Sequence, residues 1–340
     1  MELIEILLKD DEKLVDLSKG EIDELLNLGY NFEKGISFQQ DYKIAKKIYK
    51  KCASLGHPKA FNNLGWLYQN GFGVKKNLEK AEEYYNKAFD LGEGLAATNI
   101  GNIYEFGDKN GGKPDWKTAR KWYLRGALLG DTKAKFNFAN CLHYGNGGPK
   151  DSKLAFAIYS QLAGVLKGCY WYIGFYYQNG IVVKKDVKTA IDYYTKGIES
   201  ENDEYCYLSL GDLAIEGKLS GKKDPKLAVK LFLNAIYYGD DYSYYNIGYM
   251  FERGDVTGKK DMNFATAWYQ LGANRKSESC IDKLKKLGIK LDSDIEKLAD
   301  DCDKSLHENS LVDESTRIFS DGIKLSSDES DFYDILSEEF

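Results

Sequence analysis

A small residue recurs through this sequence at intervals of 36, 36, 38, 35, 37 and 37 residues, and nothing else in the chain constrains its fold as strongly. The positions are Gly29, Gly65, Gly101, Ala139 (the one variant), Gly174, Gly211 and Gly248. Six residues after each stands a second glycine: Gly35, Gly71, Gly107, Gly145, Gly180, Gly217 and Gly254. Three residues after the first comes a mostly aromatic position: Phe32, Tyr68, Tyr104, Leu142, Tyr177, Ala214 and Phe251. A second marker is an Asp or Asn four residues before an Ala, from Asp41/Ala45 and Asn77/Ala81 through to Asp261/Ala265. Four residues beyond each of those Ala residues is a ring: Tyr49, Tyr85, Tyr123, Tyr159, Tyr194, Phe232 and Tyr269. A period in this range without strand-like alternation predicts a helical solenoid.

The physics of each marker agrees. Residues at i, i+3 and i+4 share a helix face, which groups Gly65 with Tyr68 and Gln69, and Ala81 with Tyr84 and Tyr85. A small residue at the crossing lets helix B approach helix A closely, and the nearby ring fills the adjoining gap. The second glycine ends helix A in a left-handed conformation, and the Asp or Asn caps helix B. Helix B ends at a further glycine, as at Gly56, Gly92, Gly130 and Gly239. The loops between A and B vary in length and are longest at Asp108–Pro114.

These residues resemble the Sel1-like repeat family, a branch of the tetratricopeptide superfamily. Its pattern is nearly complete between Ala60 and Ala88, including Leu64-Gly65, Tyr68, Gly71, Gly73-Val74, Lys80-Ala81, Tyr84-Tyr85 and Lys87-Ala88. The resemblance implies an all-α, right-handed superhelical solenoid of about seven antiparallel helix hairpins. It also implies a non-catalytic scaffold or adaptor that binds a partner protein or peptide in a concave groove. The expected organisation is an N-terminal capping segment over 1–21, seven repeats over 22–280, capping helices over 281–309 and an acidic tail over 310–340. Ser293 to Glu296 reads as a capping box for a helix at the C-terminal end.

Charge is unevenly placed. Residues 292–340 carry a formal −12 and the rest of the chain +6. That mildly basic body lacks the Lys/Arg clustering of a nucleic-acid surface. The acidic tail holds Phe332, Tyr333, Ile335 and Leu336, an anchor suited to a partner or to the chain's own groove. The longest apolar stretch, around Tyr170–Tyr177, falls far short of the ~20 residues of a membrane span. The acidic N-terminus is unlike a signal peptide, which makes the cytoplasm the expected location. The cysteines, at 52, 141, 169, 206, 280 and 302, form no CxxC, and three histidines leave no metal-ligand cluster to assemble. Buried reduced thiols, and no metal or cofactor, are the expectation.

Catalytic motifs fail on inspection. Gly107 to Lys113 matches the phosphate-loop spacing, but Pro114 stands where Ser or Thr must hold Mg²⁺. Cys141 and His143 point about 200° apart on one helix and make no nucleophile–base pair. A secreted group of similar proteins, linked to penicillin binding, carries a disulfide in each repeat that this chain lacks. A β-lactamase-like hydrolase is accordingly the weakest alternative. A bacterial effector or toxin-immunity protein, acting by binding its target, stands ahead of it.

The candidate binding face lies on the A helices. Two residues before each repeat small residue, on the side expected to lie opposite the packed face, stand Asn27, Asn63, Asn99, Asn137, Tyr172, Ser209 and Asn246. Asn is an indifferent helix former and needs another reason to recur there. Asn62, Trp66, Asn102, Asn140, Trp171 and Tyr245 extend the same face. Two readings stay open: Asn side chains that hold a peptide backbone, as the resemblance implies, or a ladder bridging one repeat to the next.

Overall fold

The computed structural model describes residues 17–107 and 111–291. The capping box at Ser293, Cys302 and the acidic tail lie outside the described residues. The chain divides into two compact units, residues 1–162 and 163–340.

The N-terminal unit is a run of helix hairpins: α1 (Lys19–Lys34) with α2 (Tyr42–Ser54), α3 (Pro58–Asn70) with α4 (Leu78–Asp90), α5 (Gly94–Glu105) with α6 (Trp116–Leu128), and α7 (Thr132–Tyr144) with α8 (Ser152–Leu162). The C-terminal unit continues the pattern with α9 (Cys169–Asn179) and α10 (Val187–Glu201), α11 (Glu204–Glu216) and α12 (Pro225–Tyr237), α13 (Ser243–Arg253) and α14 (Met262–Asn274), then α15 (Glu278–Leu287). Within each unit the A helices also touch one another, α3 with α5 and α5 with α7, α9 with α11 and α13 with α15. That crowding places the A helices on the inside of each stack. All described secondary structure is helical.

Local chemistry sets the helix ends where the markers predict. The Asp41 carboxylate accepts from the backbone of Lys43 and Ile44, and Asn77 accepts from Lys80 at 2.8 Å. A second bond on the same residue fixes the hairpin. The backbone N–H of each B-helix cap donates to the carbonyl three residues after the repeat glycine. Asp41 meets Phe32 at 2.9 Å, Asn77 meets Tyr68 at 2.9 Å, Asp115 meets Tyr104 at 2.8 Å and Asp261 meets Phe251 at 3.0 Å. One side chain thus starts helix B while its own backbone ties that start to the end of helix A. Gly71 ends α3 with φ 78°, a conformation costly for any residue with a Cβ. In the third hairpin the helix ends at Glu105 and its cap is Phe106, one residue before the expected Gly107.

The core follows from the same register. Ala45, Ile48 and Tyr49 pack under Leu25 in the first hairpin. Ala228, Phe232, Tyr269 and Trp268 belong to a larger buried cluster in the C-terminal unit. The five described cysteines are free and buried. Burial pushes the thiols of Cys52 and Cys169 up to about 12 and those of Cys141 and Cys280 up to about 11.

Candidate functional site

The inner face begins at the seam between helices A and B. A Cβ built on Gly65 would lie 2.6 Å from the Tyr85 ring, and one on Gly101 would lie 2.3 Å from Tyr123. The same contact pairs Gly29 with Tyr49, Gly174 with Tyr194, Gly211 with Phe232 and Gly248 with Tyr269. Each tyrosine ring is fully buried, so its hydroxyl must find a partner at the far edge of helix A. The partner stands four residues after the repeat glycine. Tyr49 donates to Glu33 at 2.8 Å, Tyr85 to Gln69 at 2.7 Å, Tyr194 to Gln178 at 2.6 Å and Tyr269 to Glu252 at 2.6 Å. Tyr123 shares its single hydroxyl hydrogen between Glu105 and Asn102, the latter at 2.8 Å. In the hairpin with Ala139 in place of glycine, the Tyr159 hydroxyl turns to Asn140 at 2.7 Å. Burial is the main reason these phenols are held above their ordinary pKa. The sixth hairpin departs from the rule with Phe232, and the acceptor position there is the apolar Ile215.

The asparagines sit where one A helix meets the next. Asn99 donates to Asn62 at 2.8 Å, and Asn137 donates to Asn102 at 3.5 Å. Asn63 hydrogen-bonds the Tyr49 hydroxyl, and Asn137 that of Tyr123. In the C-terminal unit the Trp171 indole donates to Ser209 at 2.9 Å, and Ser209 in turn bonds the Tyr194 hydroxyl. Asn63, Asn99, Asn137 and Ser209, each two before the repeat small residue, therefore face the preceding repeat instead of pointing away from the packed surface. Asn62 and Tyr172 are buried outright; Asn63, Trp66, Asn99, Asn102, Asn137, Asn140, Trp171, Tyr245 and Asn246 are half-buried. Asn27, in the first described A helix, has no hairpin before it among the described residues and is exposed.

Aromatic rings complete the face. Lys34 lies 4.9 Å from the Trp66 ring and 2.9 Å from the Glu33 carboxylate. In the C-terminal unit Trp171 stacks on Phe175 at 5.4 Å and meets Tyr205 at 5.7 Å. Tyr242, Tyr245 and Tyr249 stack in series along one side of α13, with centroids 5.6 and 5.9 Å apart.

Comparison with known proteins now bears on this arrangement. The Sel1 repeat model matches residues 25–57, 58–93, 94–131, 132–163, 168–202, 205–239 and 241–277. The chain belongs to the Sel1 repeat family. A solved Sel1 repeat protein from Oxalobacter formigenes is 26% identical, with a TM-score of 0.64 over 73% of this chain and 96% of the other. A protective antigen of uropathogenic Escherichia coli with the same fold is 25% identical, with a TM-score of 0.60 over 84% of this chain. This chain spans 62% of that antigen's length. A comparison with curated proteins gives no match.

Within the Sel1 repeats, sequence reasoning missed the hydroxyl acceptors Glu33, Gln69, Glu105, Gln178 and Glu252. A signal was present, since a residue able to accept a hydrogen bond recurs four after the repeat small residue wherever the ring is Tyr. It becomes meaningful only once the ring is known to cross at the glycine. Among the described residues no helix is long and apolar enough to cross a membrane, and no group of three or more His, Cys, Asp or Glu is placed to hold a metal.

Proposed function

We propose that the inner face of the A helices binds a partner protein through an extended peptide segment, without chemistry at the site. Sel1 repeats are typically scaffolds for protein–protein contact, and the reading rests on one observation about the amides. Each is anchored by half of its hydrogen-bonding capacity. Asn102 and Asn140 use Oδ1 to accept from Tyr123 and Tyr159, and Asn99 uses Nδ2 to donate to Asn62. The other half of each amide makes no hydrogen bond within the described chain. A peptide backbone alternates donors and acceptors, and immobilised amides offer both at little entropic cost. Ladder and grip are in this view two halves of one device. The aromatic neighbours suit the core of a protein interface.

Selection of a displayed random-peptide library on the immobilised full chain tests this. Selected peptides should lose binding to an Asn102→Ala/Asn140→Ala variant that stays folded. Binding equal to that of the parent would place the site elsewhere. Stronger binding after removal of residues 310–340 would mark the tail as self-inhibitory.

A further inference from the structure

The tyrosine stack on α13 has two unlike ends. At one end Tyr249 is covered by this chain's own cations, with Arg253 at 5.6 Å and Lys283 at 5.8 Å from the ring centroid. Each cation is balanced, Arg253 by Asp255 at 3.1 Å and Lys283 by Glu252 at 2.8 Å. At the other end Tyr242 is 45% exposed, and no cation of the described chain lies over it. A carboxylate waits there all the same. Asp212, on the preceding A helix, acts electrostatically on Tyr242 and makes no hydrogen bond or ion pair among the described residues.

The register explains why Asp212 is free. It stands one residue after Gly211, the position of Asn102 and Asn140, whose oxygens are taken by tyrosine hydroxyls. In this hairpin the ring is Phe232, which has no hydroxyl to offer. The same gap affects the next repeat. Asn246 occupies the position that bonds the preceding B-helix hydroxyl in Asn63, Asn137 and Ser209, and its Nδ2 is buried without a partner. The junction of the sixth and seventh hairpins thus brings together an exposed carboxylate, an open aromatic face and a buried amide donor without a partner.

We infer that this gap is the seat of an arginine side chain of the partner, stacked on Tyr242 and paired with Asp212, with Asn246 donating to a carbonyl of the same segment. The far end of the stack shows the complete arrangement, a cation over a ring beside a carboxylate, and this end lacks only the cation. Arginine fits better than lysine because its planar group stacks on a ring and pairs with a carboxylate at once. The exposed Tyr205 on α11 extends the aromatic surface, and with Glu216 already paired to Lys218 at 2.6 Å, the uncompensated Asp212 is the charge that favours a basic segment and disfavours an acidic one. The inference rests on the inner-face reading and names the chemistry of its partner.

The test is fluorescence anisotropy with a labelled peptide alternating arginine and serine, titrated with the full chain. Peptides with lysine or glutamate in place of arginine serve as comparisons. The arginine peptide should bind best and the glutamate peptide should fail. Asp212→Asn, an isosteric change that removes only the charge, should weaken arginine-peptide binding by at least about tenfold, the scale of a lost charge-assisted contact. Tyr242→Ala should weaken it as well, while Glu79→Gln on the exposed side of α4 should change nothing. Equal binding by wild type, Asp212→Asn and Tyr242→Ala would overturn the arginine seat, since the peptide would then be held by other acidic groups. If library-selected peptides still depended on Asn102 and Asn140 in that case, the inner-face reading would survive. Tighter binding of the glutamate peptide would also overturn the inference.

Discussion

The Tyr85 ring lies so close to the α-carbon of Gly65 that a single added methyl group would meet it at 2.6 Å. Helix spacing in every hairpin with a repeat glycine is set by this one contact, repeated at a fixed register. It makes the glycine a packing requirement, not a turn residue.

Gly101→Ala should therefore destabilise the protein by about 1–3 kcal/mol, the cost of overpacking a tight crossing. The built Cβ would sit 2.3 Å from Tyr123, inside any allowed contact. Gly20→Ala, in the first turn of α1 with nothing within 4 Å of its Cβ, should be neutral or slightly stabilising. Chemical denaturation followed by circular dichroism separates the two. Equal midpoints would refute the crossing.

Phe232 and Asp212 should behave as a coupled pair. Phe232→Tyr supplies the hydroxyl that Asp212 and Asn246 lack in this part of the fold, and it should be neutral or stabilise by up to about 1 kcal/mol. Adding Asp212→Ala removes the acceptor, and that gain should vanish. A double-mutant cycle reads this directly. Additive effects would show that the hydroxyl is satisfied by something else.

The asparagine register makes a graded prediction. Asn99→Ala strands the buried Asn62 oxygen and should lower stability by about 1–3 kcal/mol. Asn27→Ala, at an exposed position, should leave it within about 0.5 kcal/mol. Similar melting of the two variants would show that Asn99 and Asn62 are not coupled.

Alkaline pH should destabilise the fold. Buried thiols such as Cys52 and Cys141 have folded pKa values raised to about 12 and about 11. A thiol in the unfolded chain ionises near ~8.5. A raised folded value means full stability below the unfolded pKa and progressive loss above it, between about 8.5 and 11 to 12. The melting temperature should fall across that window. Thiol reagents at neutral pH should label the native chain slowly at these positions and rapidly once it is unfolded.

Arginine-peptide binding should weaken as pH falls through about 6. The crowded inner face strips hydration from Asp212, and Glu216 on its own helix and Asp240 beyond it add repulsion, so its carboxyl is held near that value. Tyr242 and Tyr194, the phenols on which Asp212 also acts, stay protonated throughout this range because both are raised. Protonation removes the charge that pairs with arginine. An affinity flat between pH 5 and pH 8 would count against Asp212 as the anchor.

The period, the capping residues and the ring-on-glycine register were legible because they depend on spacing along single helices, where 3.6 residues per turn fixes which side chains share a face. Gly65 with Tyr85, Asp41 as a cap and the burial of Cys52 all follow from that arithmetic. The direction of the asparagines did not. Helical spacing places Asn99 on a side of α5, but whether that side meets solvent or another helix depends on how α3 and α5 approach, which separation in sequence does not encode. The hydroxyl acceptors were hidden for the same reason, since Gln69 matters only once Tyr85 has crossed at Gly65. The opening at Asp212 is the clearest case. A Phe in place of a Tyr reads as a conservative change, and only packing of α11, α12 and α13 around one point turns the missing oxygen into a free carboxylate and an unpaired amide.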